Sequence, residues 1–200
     1  MINKLNQMSP PVVLNLIIIN CLALMATTIF PIIYHYLALF DVTSPAFKLY
    51  QVVTYMFLHG DLSHLFFNMF ALWMFGRNLE YELGSKRFLT YYMACGVGAG
   101  LIQLAVGFLS PFSITVGASG AVFGILLAFG LMHPNARIML LIPPIPMKAK
   151  WFVILYGLLE LFLGVRGGAM DNVAHFAHLG GMIWGFLLLT YWKYKGEIRY

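Results

Sequence analysis

The chain has 200 residues, 61% of them hydrophobic and only 10% charged, with a formal net charge of +5. Ordinary soluble domains carry roughly 25% charged residues, and a protein this small could not cover its surface with so few, so lipid must serve as part of its solvent. The positive excess, which in a soluble protein would suggest nucleic acid, matters here through its distribution rather than its sum, and no nucleic-acid partner is implied.

A helix crosses the bilayer core with about 20 apolar residues. The apolar runs predict a single all-α membrane domain over residues 1–200, with six spans near 11–34, 62–79, 88–109, 115–132, 150–166 and 173–194. Only Lys4 precedes the first run as a positive flank. That run continues past Thr27 and Thr28 without a small-residue cleavage site, so it reads as a retained span rather than a signal peptide. Residues 35–61 make a long loop rich in aromatics (Tyr36, Phe40, Phe47, Tyr50, Tyr55, Phe57) and poor in charge, expected to lie partly in the outer leaflet. The second span opens with polar residues, and the fourth and fifth are the shortest. Pro143, Pro144 and Pro146 cannot sit inside a helix and mark a turn before span five. Cys21 and Cys95 lie in apolar stretches without disulfide or metal spacing and read as packing residues.

Lysines and arginines set the orientation. With the N-terminus in the cytoplasm, that side collects Lys4, Arg77, Lys86, Arg87, Arg137, Lys148, Lys150, Lys193, Lys195 and Arg199. The other side receives only Lys48 and Arg166. Both termini are therefore expected inside, and the compact form points to a bacterial inner membrane.

Polar residues within membrane spans are expensive and are functional candidates by default. Three groups stand out. His59, His64 and Asn68 fall within HGDLSHLFFNMF, where His64 and Asn68, four apart, share a helix face; the plainer reading is a polar helix start with Asp61 or Ser63 as N-cap. Gly117-Ala118-Ser119-Gly120, with Gly124 beyond, opens span four. A membrane serine is usually a packing residue, but flanking glycines leave this hydroxyl unhindered. His175-Phe176-Ala177-His178-Leu179-Gly180-Gly181, with Gly185 one turn on, opens span six. Two histidines three apart are a weak metal signal, and no carboxylate is placed by sequence as a third ligand.

Gly181 with Gly185, and Gly120 with Gly124, form small-residue faces suited to close helix packing. If those faces meet, Ser119 and His178 meet as well. A histidine can take the serine's proton and so activate it, while His64, Asn68 and the backbone N–H of Ser119 hold the oxyanion. The nearest acid in sequence, Asp171, is seven residues from His178, which favours a dyad. Glu160, in span five, reads as a buried structural acid.

In these residues the sequence closely resembles the rhomboid intramembrane proteases. The similarity runs from Thr54 to the last span, through HGDLSHLFFN, then Gly76, Glu80 and Gly84, then GASG, then AHFAHLGG. The resemblance implies a six-helix core whose active site opens, through a water-filled cavity, to the outer face. It implies Ser119 as nucleophile, His178 as base and His64 and Asn68 as oxyanion residues. It further implies a structural role for His59, a buried acid at Glu80 tying the first loop to the helices, and helix-packing glycines at Gly120 and Gly181. Two positions depart from the family: Tyr50-Gln51 stands where Trp-Arg is frequent, and Phe123 stands where a well-known bacterial member has a tyrosine stacked on the histidine. His175 is expected to support the site. The implied substrates are single-span membrane proteins that unwind in the bilayer, and no cofactor, metal or nucleotide is called for. A catalytically dead relative would lack the serine or the histidine, and a transporter would show an inverted repeat; neither pattern is visible.

Overall fold

The computed structural model describes residues 10–108, 114–139, 145–166 and 174–200. Lys4, Pro143, Pro144 and Asp171, singled out above, lie outside the described residues. The first helix, α1 (Pro11–Ile29), opens with Pro11 at its first position, where a missing N–H costs nothing. It stops short of the expected residue 34 because Phe30 precedes Pro31, and the proline ring disfavours helical geometry in the residue before it.

The expected loop 35–61 is largely built into short elements. These are α2 (Ile32–Leu37), β1 (Leu39–Phe40), α3 (Gln51–Thr54) and a 3-10 turn over Tyr55–Phe57. Gln51, fully buried, organises them from inside. Its Oε1 accepts from the amides of Lys48 (3.1 Å) and Phe40 (3.5 Å), and its Nε2 donates to the carbonyls of Tyr36 (3.1 Å) and Ala46 (3.0 Å). A single amide side chain thus satisfies four backbone groups of an irregular segment that has few ladder partners of its own. Tyr50 beside it is exposed.

Helix α4 (Leu62–Ala71) is N-capped by Asp61, whose carboxylate accepts from the His64 amide at 2.8 Å. It continues through a π-helical turn, Leu72–Gly76, into α5 (Arg77–Leu83), so the second expected span runs on beyond residue 79. Then come α6 (Ser85–Gly107), β2 (Ile114–Thr115), α7 (Ser119–Met132), β3 (Arg137–Met139), β4 (Pro146–Lys148), α8 (Ala149–Arg166) and α9 (His175–Tyr194). Both strand pairs are antiparallel, Leu39 facing Thr115 and Ile138 facing Met147. The β1–β2 pair takes residue 115 out of the expected fourth span, which begins instead at Ser119. Pro146, expected within a turn, opens β4 at a strand's first residue, where proline is tolerated.

Helix α6 forms the centre, with Phe88, Tyr91, Tyr92 and Cys95 inaccessible. Helix α9 packs chiefly on α6 and α7, and α8 lies against α9 and α7. The two glycine faces meet, but α6 enters the same junction. Gly181 lies on the Gly120 backbone, whereas Gly185 faces Tyr91 and Cys95 of α6. Tyr91 Oη donates to the Gly124 carbonyl at 2.8 Å, and Tyr55 Oη to the Gly96 carbonyl at 2.7 Å. Among the described residues α1 and α6 are long and apolar enough to cross a membrane. Exposed apolar side chains line the outside of α1 (Ile18, Ile19, Leu22, Met25) and α8 (Ile154, Leu155, Leu158, Phe162), as lipid contact requires. Cys95 is a packing residue inside the junction, but Cys21 is exposed on α1, so the expectation of packing fails there.

Candidate active site

Helices α4, α7 and α9 all begin at one end of the bundle, and that end gathers the polar residues of their first turns. Ser119 opens α7, and among the described residues no side chain caps the first-turn amides of that helix. Ser119 Oγ lies 2.8 Å from His178 Nε2, a hydrogen bond joining residues 59 apart in the chain. Phe123, one turn along α7, lies flat on the His178 ring, with centroids 4.3 Å apart and planes 7° from parallel. The ring therefore keeps its orientation without a tyrosine hydroxyl.

Gly117 has φ +124°, a conformation that L side chains rarely adopt. Its amide donates to the Tyr55 carbonyl at 3.0 Å, which fastens the segment before α7 to the 3-10 turn. A Cβ at Gly117 would stand 2.8 Å from His64 Nε2 and 3.7 Å from Ser119 Oγ, so His64 and the serine border the same small space. Asn68, buried one turn behind His64, donates its Nδ2 to the His64 carbonyl at 3.0 Å. His59 is buried with its ring edge-on to His64, 4.9 Å between centroids.

The structure also supplies what sequence spacing did not. Glu160, from α8, is buried, and its Oε2 lies 2.9 Å from His178 Nδ1 and 2.6 Å from His175 Nδ1. The expectation that no acid is placed to orient His178 is thereby overturned, and Glu160 is buried as expected. The signal in the sequence was the acid itself, alone in an apolar helix; what could not be read was the α8–α9 pairing that brings residues 18 apart together. Glu160, His175 and His178 are also the described group whose donor atoms could converge on a metal, all within 4.8 Å of one another. Those atoms already bond to each other, and the remaining His178 nitrogen faces Ser119.

Glu80 is placed differently from the expectation. Its carboxylate accepts from the amides of Val12 (3.0 Å) and Val13 (2.8 Å) and from the Ser85 hydroxyl (2.6 Å). It fixes the start of α1 to the α5–α6 corner, and the 35–61 segment is held by Gln51 instead.

A family model described as Rhomboid domain matches residues 46–195. Rhomboid protein 1, mitochondrial, of Saccharomyces cerevisiae is 36% identical over 142 residues, covering 68% of this chain and 40% of the yeast protein. RHOMBOID-like protein 6, mitochondrial, of Arabidopsis thaliana is 34% identical over 139 residues, covering 70% of this chain and 42% of its own length. Rhomboid protease GluP of Bacillus subtilis is 33% identical over 137 residues, covering 68% of this chain and 25% of its own. The chain thus spans less than half the length of each of these relatives. With the domain match extending from the 35–61 segment through α9, this chain belongs to the rhomboid family of helical membrane proteins.

Proposed function

We propose that this protein is an intramembrane serine endopeptidase that hydrolyses peptide bonds in or near the membrane-spanning segments of other proteins. The observation that carries the reading is the 2.8 Å hydrogen bond between Ser119 Oγ and His178 Nε2 at the start of α7, which no side chain caps. Relatives named as rhomboid proteases support it.

In this reading Ser119 Oγ attacks the scissile carbonyl carbon while His178 Nε2 takes its proton. The carbonyl electrons move to oxygen, and the Ser119 amide, His64 and Asn68 donate to the oxyanion. Collapse of the tetrahedral intermediate breaks the C–N bond, and His178 returns the proton to the leaving amine. Water then attacks the acyl-serine with His178 again as base, releasing the new carboxylate and restoring Ser119. A helical substrate must unwind before Ser119 can reach a carbonyl, because a helix interior has every backbone group paired.

The proposed setting is a bacterial inner membrane, crossed by six spans formed by α1, α4–α5, α6, α7, α8 and α9. Both termini are cytoplasmic and the starts of α7 and α9 lie toward the outer face. Single-span membrane proteins with small residues at the cleavage point are the proposed substrates. The test is cleavage of a fluorescent single-span substrate by detergent-purified protein. Activity is expected in the wild type and lost in both Ser119→Ala and His178→Ala; equal activity in wild type and Ser119→Ala overturns the assignment of the nucleophile.

A further inference from the structure

We propose that Glu160 is a positioning residue for His178, held in place by His175, so that the site is a Ser119–His178–Glu160 triad closed by a second histidine. The inference rests on the serine-protease reading above and concerns how that site is set.

The geometry forms a chain of four side chains from three helices. Ser119 Oγ on α7 meets His178 Nε2 at 2.8 Å. His178 Nδ1 meets Glu160 Oε2 of α8 at 2.9 Å, and the same oxygen meets His175 Nδ1 at 2.6 Å. A neutral imidazole has one N–H and one lone-pair nitrogen. Only the tautomer protonated at Nδ1 lets His178 donate to the carboxylate while its Nε2 accepts from the serine hydroxyl. A base in the other tautomer would point an N–H at Ser119 and could not take its proton. Glu160 therefore selects the tautomer that works and faces the imidazolium that forms when the proton moves. Without it, the stack on Phe123 would fix the plane of the ring but not the position of the proton.

His175 completes the arrangement. All three side chains are almost wholly buried, at 7% exposure for His175, 8% for Glu160 and 10% for His178. A buried carboxylate is tolerated when its oxygens are hydrogen-bonded. The two histidine rings stand at 89° to each other, so their Nδ1 atoms approach Oε2 from different directions without competing for space. His175 thus gives Glu160 a second donor from the same helix as the base and prevents the carboxylate from rotating away from His178.

A merely structural role, tying α8 to α9, would affect stability and leave the chemistry per folded molecule unchanged. The test therefore separates them. Detergent-purified wild type, Glu160→Gln and Glu160→Asp are compared for kcat and KM on the fluorescent substrate, for the labelling rate of Ser119 by a fluorophosphonate, and for thermal midpoint. Glu160→Gln keeps the shape of the side chain but removes the negative charge that faces the imidazolium. It is expected to lower kcat and the labelling rate roughly 10²- to 10⁴-fold with little change in KM, and Glu160→Asp is expected to recover part of that loss. If folded Glu160→Gln turns over and labels at the wild-type rate, the positioning role is overturned while the protease reading stands. If the wild type neither cleaves nor labels at Ser119, the protease reading fails and this proposal with it. Should Glu160→Gln not fold, nitrogen-15 NMR of imidazole-labelled wild type decides the matter: His178 protonated at Nδ1 is the expected result, and His178 protonated at Nε2 overturns the proposal.

Discussion

Gly181 of α9 lies directly on the backbone of Gly120 of α7, and a Cβ added to Gly181 would fall within the Gly120 carbonyl group. The obstacle is main chain, which cannot rotate aside, so the two helices would have to separate. That contact is one residue from Ser119 and three from His178, and any separation lengthens the 2.8 Å hydrogen bond between them. Gly181→Ala is expected to cost about 1–3 kcal/mol of stability by overpacking and to lower turnover of the fluorescent substrate at least tenfold at temperatures where the variant is folded. Gly60→Ala is the matched control, since nothing lies within 4 Å of a Cβ there. It should cleave at close to the wild-type rate, and equal losses in the two variants would contradict the packing argument.

Glu80 shows that a buried acid of this fold can be purely structural. Two of its three hydrogen bonds close the start of α1, where the first amides have no partner inside the helix, and the third comes from Ser85 at the start of α6. Glu80→Ala leaves the Val12 and Val13 amides without their acceptor. It should reduce stability by roughly 2 kcal/mol, read as a lower thermal midpoint, while kcat well below that midpoint stays near wild type. A large loss of kcat in folded protein would mean that α1 governs the site.

The contrast between Glu80 and Glu160 marks what can be read in this sequence. Helix positions were legible because apolar runs and proline or glycine breaks are local. GASG and AHFAHLGG were legible as candidate sites because glycines beside a lone serine or histidine have a local steric meaning. Neither glutamate's partners were legible. Glu80 reaches residues 67 and 68 positions away, and Glu160 reaches its histidines only because α8 packs on α9. The two-residue strands carry no periodicity, and β1 finds its partner in β2 across most of the fold. Gln51, read as a departure from a family pattern, is the buried centre of the first loop, a role set by four backbone groups that converge on it only after folding.

Phe123 sets the plane of the His178 ring. Its face-to-face contact with His178 at 4.3 Å uses the ring surface alone, and Tyr156 sits beside it at 5.8 Å. Phe123→Tyr should therefore retain turnover within about twofold, whereas Phe123→Ala removes a stack of the kind worth about 0.5–1.5 kcal/mol. If that energy is expressed in positioning His178, kcat should fall roughly three- to tenfold. Both are read from initial rates on the fluorescent substrate. A Phe123→Ala variant with unchanged kcat would show that hydrogen bonds alone orient His178.

His59 gives the protein a predictable sensitivity to acid. It lies in the segment before α4, 1% exposed, and burial, with neighbouring His64 adding to it, lowers its pKa from 6.5 to about 4. The unfolded chain therefore binds a proton between about pH 6.5 and 4 that the folded chain refuses, and stability must fall as pH falls through that window. The full effect corresponds to roughly 3 kcal/mol, present above pH 6.5 and lost by pH 4. A thermal midpoint that declines from pH 7 to pH 4.5 in wild type, and declines less in His59→Gln, is the expected outcome. Parallel declines in the two proteins would assign the acid sensitivity to other groups.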